Sequence, residues 1–153
     1  MAIVYEAIDE KLGRRIAVKC AKAGFRTRLT PEVIAATKIA HDSVCKIFEI
    51  HTAATNRGEI DFITMEFLDG PTLTERLRDG PLPEREARII AQQLCPGLAA
   101  AHRSHVIHGD LKSNNVILTK AADGSHRAVI TDFGLAHGIQ PQAGNARRED
   151  RAA

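Results

Sequence analysis

The chain has 153 residues, enough for one domain with a real hydrophobic core or for part of a larger one. Its 44% hydrophobic and 26% charged residues are those of an ordinary globular protein, and a net charge of +2 without a long basic run argues against nucleic acid or a membrane surface as partner. Three widely spaced cysteines, Cys20, Cys45 and Cys95, fit no disulfide framework; with no signal-peptide pattern at the start and no apolar run of bilayer length, a cytoplasmic setting is expected.

Val4–Asp9 alternates weakly and is followed by a Gly13-containing turn and the β-branched run Ile16–Cys20, which together read as a hairpin. Lys19 then sits in a strand among apolar neighbours, where an unpaired charge would be costly; it is either paired or on an edge facing water. Thr30-Pro31-Glu32 supplies a capping hydroxyl and a proline for the first helical position, and Val33, Ile34, Ala36, Thr37 and Ala40 continue an apolar face, so a helix is expected within Thr27 to Ala40. Glu32 falls in its first turn, a favourable place for an acid whatever its further role. Ile47, Phe48 and Ile50 start a strand that turns at Asn56-Arg57-Gly58 and returns through Ile60, Phe62, Ile63 and Met65 to the Asp69-Gly70 turn.

Pro71–Leu77 reads as a short helix closed by Asp79-Gly80-Pro81, and Pro83 to about Arg103 as a long one carrying Ala87, Ile90, Ala91, Leu94, Leu98 and Ala101 at helical spacing. Pro96 lies inside it, and an interior proline costs roughly 3 kcal/mol, which predicts a bend or break near Gln92. Val116–Leu118 and Ala128–Ile130 are two short strands joined by a loop centred on Asp123-Gly124. Beyond Ala136 the periodicity vanishes, and residues 138–153 read as a disordered tail. His102, His105 and His108 recur every third residue, but no cysteine or carboxylate completes a tetrahedral set, so they read as core or loop histidines.

The chemistry concentrates in His108-Gly109-Asp110-Leu111-Lys112-Ser113-Asn114-Asn115 and, one hairpin later, Asp132-Phe133-Gly134. In phosphoryl transfer charge spreads over phosphate oxygens, and catalysis is mostly positioning plus electrostatics. A hard Mg²⁺ that keeps phosphate oxygens in its shell suits one carboxylate and one amide oxygen from separate loops, here Asp132 and Asn115. Asp110 is then free to accept or orient the proton of an attacking hydroxyl, and Lys112 to neutralise the moving phosphoryl group. Asp and Asn also cluster in loops simply because they turn well, but both motifs in this order are hard to obtain that way.

These two motifs resemble the catalytic loop and Asp-Phe-Gly motif of the eukaryotic-type serine/threonine protein kinases. Ala17-Val18-Lys19 is similar to the strand whose lysine holds the α and β phosphates of ATP, His41-Asp42-Ser43-Val44 to the segment after the regulatory helix, and Thr64–Gly70 to the hinge. The resemblance implies an α+β fold of two lobes: a small antiparallel-sheet N-lobe lacking its first strand (residues 1–68), a partial helical C-lobe (69–137), and the tail. It implies ATP and Mg²⁺, a protein substrate, Asp110 and Lys112 as catalytic residues, and Asn115 and Asp132 as metal ligands. Lys19 would anchor phosphates with Glu32 as its partner. Ala17, Met65 at the gatekeeper position, the carbonyl of Glu66, the N–H of Leu68 and Ile117 would surround the adenine.

The family usually has His-Arg-Asp where this chain has His108-Gly109-Asp110, so switching by pairing of that arginine with a phosphorylated activation loop is not expected. The Gly-rich loop expected before Ala2 and the Ala-Pro-Glu expected after the second motif are not found, which suggests a domain truncated at both ends. Two other readings stay open: a small-molecule phosphotransferase of the aminoglycoside or choline kinase kind, whose loop often reads His-Gly-Asp, and a nucleotide-binding interaction module without turnover.

Overall fold

The structure, a computed structural model, describes residues 2–21, 31–56, 58–121 and 124–133. Strands β1 (Ala2–Asp9) and β2 (Arg14–Ala21) form the expected antiparallel hairpin. The Asp9 carboxylate accepts from the Lys11 and Leu12 amides at 3.2 Å, and Gly13, at φ +62°, supplies the left-handed residue that closes the turn. β3 (Ile47–Thr55) and β4 (Gly58–Glu66) form a second hairpin, and β2 pairs with β4, giving the sheet order β1-β2-β4-β3. Lys19 is therefore on a central strand, and its charge needs a partner rather than an outlet to water.

Between the hairpins, helix α1 (Pro31–Ala36) is shorter than its apolar pattern suggests. Thr37 turns its hydroxyl back to the Ile34 carbonyl at 2.7 Å, and the chain leaves the helix so that Ile39 can enter the core. The following segment docks on the second, smaller sheet: Cys45 N–H donates to the Ile130 carbonyl and Ile130 N–H to the Ser43 carbonyl, each at 2.9 Å. That sheet is the ribbon of β5 (Val116–Lys120) and β6 (His126–Ile130).

Helix α2 (Leu73–Arg78) opens with a complete capping box between Thr72 and Glu75. Helix α3 (Glu84–Arg103) then runs unbroken through Pro96, so the break expected near Gln92 does not occur. Tertiary contacts on either side outweigh the proline. Gln93 donates to the His126 carbonyl at 3.0 Å and accepts from Ala128 N–H at 2.7 Å, stitching the helix to the free edge of β6. Gly97 lies so close to Ser43 that a Cβ there would sit 3.2 Å from the Ser43 side chain and carbonyl. The helix ends with His105 in the left-handed region (φ 59°) and Val106 N–H bonded back to the Ala101 carbonyl at 3.0 Å.

One apolar core ties the two sheets together. Ala36, Ile39, Val44, Ile47 and Ile63 from the upper part meet Ala100, Ala101, Val106, Ile130 and Phe133 from the lower. The connection between β4 and α2 crosses β5 at close range: a Cβ on Gly70 would lie 2.0 Å from the Leu118 carbonyl oxygen. Backbone cannot yield there as a side-chain tip could. Gly70→Ala is expected to destabilise the chain by roughly 3 kcal/mol, read as a fall in the urea midpoint.

Candidate active site

The sharp turn between α3 and β5 brings the polar residues of the first motif together. Gly109 adopts φ +76°, a conformation in which a side chain would be strained, so glycine leaves this loop relaxed. His108 is buried and works from both ring nitrogens: Nδ1 accepts from the Asp110 amide at 3.3 Å, which leaves Nε2 to donate to the Thr131 carbonyl at 2.8 Å. Its ring also packs edge-on to Phe133, with centroids 4.8 Å apart. His102 and His105 face outward from the same turn, so the three evenly spaced histidines do not converge.

Lys112 Nζ donates to Asp110 Oδ2 at 2.6 Å. This hydrogen bond, with a smaller contribution from Asn115, holds the Asp110 carboxyl below the ordinary carboxylate range. Asp110 is thus an ionised acceptor at neutral pH. The Asn115 amide nitrogen donates to the Asp110 carbonyl at 2.8 Å, which fixes the amide and turns its oxygen the other way. A short 3₁₀ turn, Ser113–Asn115, delivers Asn115 to the start of β5, and its Ser113 hydroxyl meets Thr74 of α2 at 2.8 Å.

The antiparallel register does the rest. Val116 pairs with Ile130, so the residue before β5 and the residues after β6 lie side by side, and Thr131 N–H donates to the Asn115 carbonyl at 2.9 Å. Asp132 follows with φ 67°, an uncommon left-handed conformation that Asp tolerates better than most residues. From there its Oδ1 meets Lys19 Nζ at 2.5 Å, with the lysine side chain 11% exposed and the aspartate 35%. This pair joins the centre of the large sheet to the ribbon. The side chain of Glu32 and all of Gly134 lie outside the described residues, so among those described the partner of Lys19 is Asp132.

Ala17 and Met65, directly paired between β2 and β4, pack with Cys45 and Val129, and Phe67 and Leu68 close over them. Ile117 is paired opposite Val129 on the ribbon, so it shares the face that this cluster touches. Glu66 turns its side chain away from this cluster to a two-pronged ion pair with Arg127 of β6, at 2.5 and 3.2 Å. Cys45, Val129 and Arg127 carry no functional signal in the sequence. Arg127 follows a polar loop and signals nothing locally; Cys45 and Val129 read only as generic strand residues.

A protein kinase domain model matches residues 1–149. The chain belongs to the protein kinase family. It is 34% identical over 152 residues to the serine/threonine-protein kinase pkn2 of Myxococcus xanthus, covering 95% of this chain and 18% of that protein. To the probable serine/threonine-protein kinase pknA2 of Bifidobacterium longum it is 35% identical over 146 residues, 89% of this chain and 18% of that one. The chain thus spans about a fifth of the length of these relatives. Among solved structures, the kinase-family chain superposes on Rad53 1-466 in complex with AMP-PNP with a TM-score of 0.71 and 25% identity, covering 88% of this chain and 35% of that one. The α+β, two-lobed kinase fold expected from the motifs is therefore the fold observed, and no described helix is long and apolar enough to cross a membrane.

Burial, reinforced by the nearby carboxylates of Glu66 and Asp132, pushes the Cys45 thiol up to about 12. The folded state therefore favours the neutral thiol. Its contribution to stability is complete below the ordinary thiol value of about 8.5 and is lost as pH rises through the folded value. The stability of the wild type relative to Cys45→Val is expected to fall between about pH 8.5 and 12 in urea titrations. At neutral pH a thiol reagent should modify the exposed Cys95 and leave Cys45 untouched until the chain unfolds.

Proposed function

We propose that this chain binds ATP with Mg²⁺ between its two lobes, divided near Leu68, and transfers the γ-phosphoryl group to a serine or threonine hydroxyl of a protein. The observation that carries the reading is the convergence of Asp110, Lys112 and Asn115 with the Lys19–Asp132 pair on loops joined through Thr131. Membership of a family whose relatives carry the name serine/threonine-protein kinase supports the choice of acceptor.

The donor set fits Mg²⁺. Asp132 offers a carboxylate and Asn115 an amide oxygen, and no group of three or more His, Cys, Asp or Glu side chains among the described residues forms an all-protein metal cage. Such a pair suits an ion that shares its shell with phosphate oxygens. When bound, the ion neutralises phosphate charge. The remaining roles belong to the chain. Asp110, kept ionised by Lys112, orients the acceptor hydroxyl and takes its proton as oxygen attacks the γ-phosphorus and the bond to the β-phosphate oxygen breaks. Lys112 offsets charge on the moving group, and Lys19, supported by Glu32, leaves Asp132 for the phosphates. Ala17, Met65 and Ile117 enclose the adenine, with the Glu66 carbonyl and Leu68 N–H as its hydrogen-bonding partners. A reducing, cytoplasmic setting belongs to the same reading, supported by the free thiols of Cys20, Cys45 and Cys95.

The test is a thermal melt with and without Mg²⁺-ATP, followed by phosphate incorporation into a serine-containing protein. Ligand that binds only the folded state raises the melting temperature by mass action. The expected result is a Mg²⁺-dependent rise that disappears in Asp132→Asn, with turnover lost by a factor of about a hundred or more in Asp110→Asn while the ATP-dependent rise persists. Loss of the rise in both variants, or in neither, would count against these roles. Because Lys112 depresses the Asp110 carboxyl, the acid limb of the pH–rate profile should lie below the ordinary carboxylate range and move upward in Lys112→Met.

A further inference from the structure

A second concavity of about 1290 Å³ shares only Glu66 with the residues assigned above. Its walls come from five parts of the chain: the start of β2, the segment from α1 into β3, the end of β4, the middle of α3 and the start of β6 with the loop before it. They carry five cations, Arg14, Arg15, Lys38, Lys46 and Arg127, against two carboxylates, Asp42 and Glu66, an excess of three where the whole chain has +2. Both Glu66 oxygens are occupied by Arg127, so that pair cancels. Asp42 then stands alone against four cations.

Those four differ in how committed they are. Arg15 already holds Glu6 and Asp69 in exposed pairs, whereas Arg14 among the described residues has only Asp9, at 3.7 Å. Lys38 and Lys46 are exposed and make no ion pair among the described residues. The Arg14 guanidinium lies 4.0 Å above the Phe48 ring, and that of Arg15 lies 4.0 Å above Phe67. A stacked guanidinium keeps its N–H edge for a planar carboxylate.

The shape narrows the class of ligand. Small-molecule pockets run to about 300–1,000 Å³ with polar groups converging on one point; here the cations are spread around a wider, open trough. Phe48 and Phe67 each already carry an arginine over one face, and the chain as a whole has little positive field, both of which weigh against a nucleic acid. We propose that this groove docks an extended, glutamate- and aspartate-rich segment of a protein partner, with Lys38, Lys46 and Arg14 meeting its carboxylates.

The test is fluorescence anisotropy with a labelled glutamate-rich peptide and the 153-residue chain. Binding is expected at low ionic strength, weakening with salt, and absent for a lysine-rich peptide of equal length. The double variant Lys38→Glu/Lys46→Glu should bind about tenfold or more weakly, and Lys38→Ala/Lys46→Ala less severely so. Lys11→Glu/Lys120→Glu, which changes net charge equally but outside the groove, should stay within about twofold. Circular-dichroism melts verify that each variant folds, and the Mg²⁺-ATP shift should be the same in all of them, which separates this site from the nucleotide reading. The proposal is overturned if the peptide does not bind, if both charge-reversed pairs weaken it alike, or if a single-stranded oligonucleotide binds more tightly through the same lysines.

Discussion

The Thr131 amide donates to the Asn115 carbonyl across the open end of the β5–β6 ribbon, at 2.9 Å, and this bond helps hold the two motif-bearing loops in register. On one side the Asn115 side chain reaches back to Asp110, so the first loop is braced from its far end. On the other, the Thr131 carbonyl accepts from His108, so the same residue is gripped by the first loop through both backbone groups. Val116 and Ile130, which flank the bond, are almost fully buried, and so the site inherits the rigidity of the core rather than the mobility of loops.

Two ion pairs then couple the sheets, and their chemistry differs. Lys19–Asp132 is partly open to solvent, and the lysine engages one of the two Asp132 carboxylate oxygens, as suits a pair that would exchange partners in the proposed function. Arg127–Glu66 is two-pronged and is extended by Arg127 Nε donating to the Asp42 carbonyl at 2.6 Å. It reads as a clasp between β6, the end of β4 and the α1–β3 linker.

What could be read from the sequence was what is local. Asp110, Lys112 and Asn115 lie within six positions, so their grouping needed only a turn, and the hairpins announced themselves through Gly13 and Gly58. Contacts between distant segments left no such signal. Glu66 and Arg127 are 61 residues apart, and nothing beside either names the other. The bend or break expected near Gln92 rested on the local penalty of Pro96, and Gln93 and Gly97 keep the helix continuous by packing, as tertiary contact often overrides propensity. α1 was overextended for the same reason, because its apolar run serves the core beyond the helix end through Ile39.

In the proposed function Asn115 and Asp132 together face the metal of a bound nucleotide, and paramagnetic Mn²⁺ in place of Mg²⁺ tests this directly. In a proton–nitrogen correlation spectrum of the labelled chain with ATP, substoichiometric Mn²⁺ should broaden the Asn115 and Asp132 amides first. It should broaden Gly58 far less, because Lys19, the partner of Asp132, pairs with Ile63 and Gly58 lies five residues further, about 17 Å along β4. The broadening should require ATP. Broadening that is strongest elsewhere, or the same without ATP, would contradict the account.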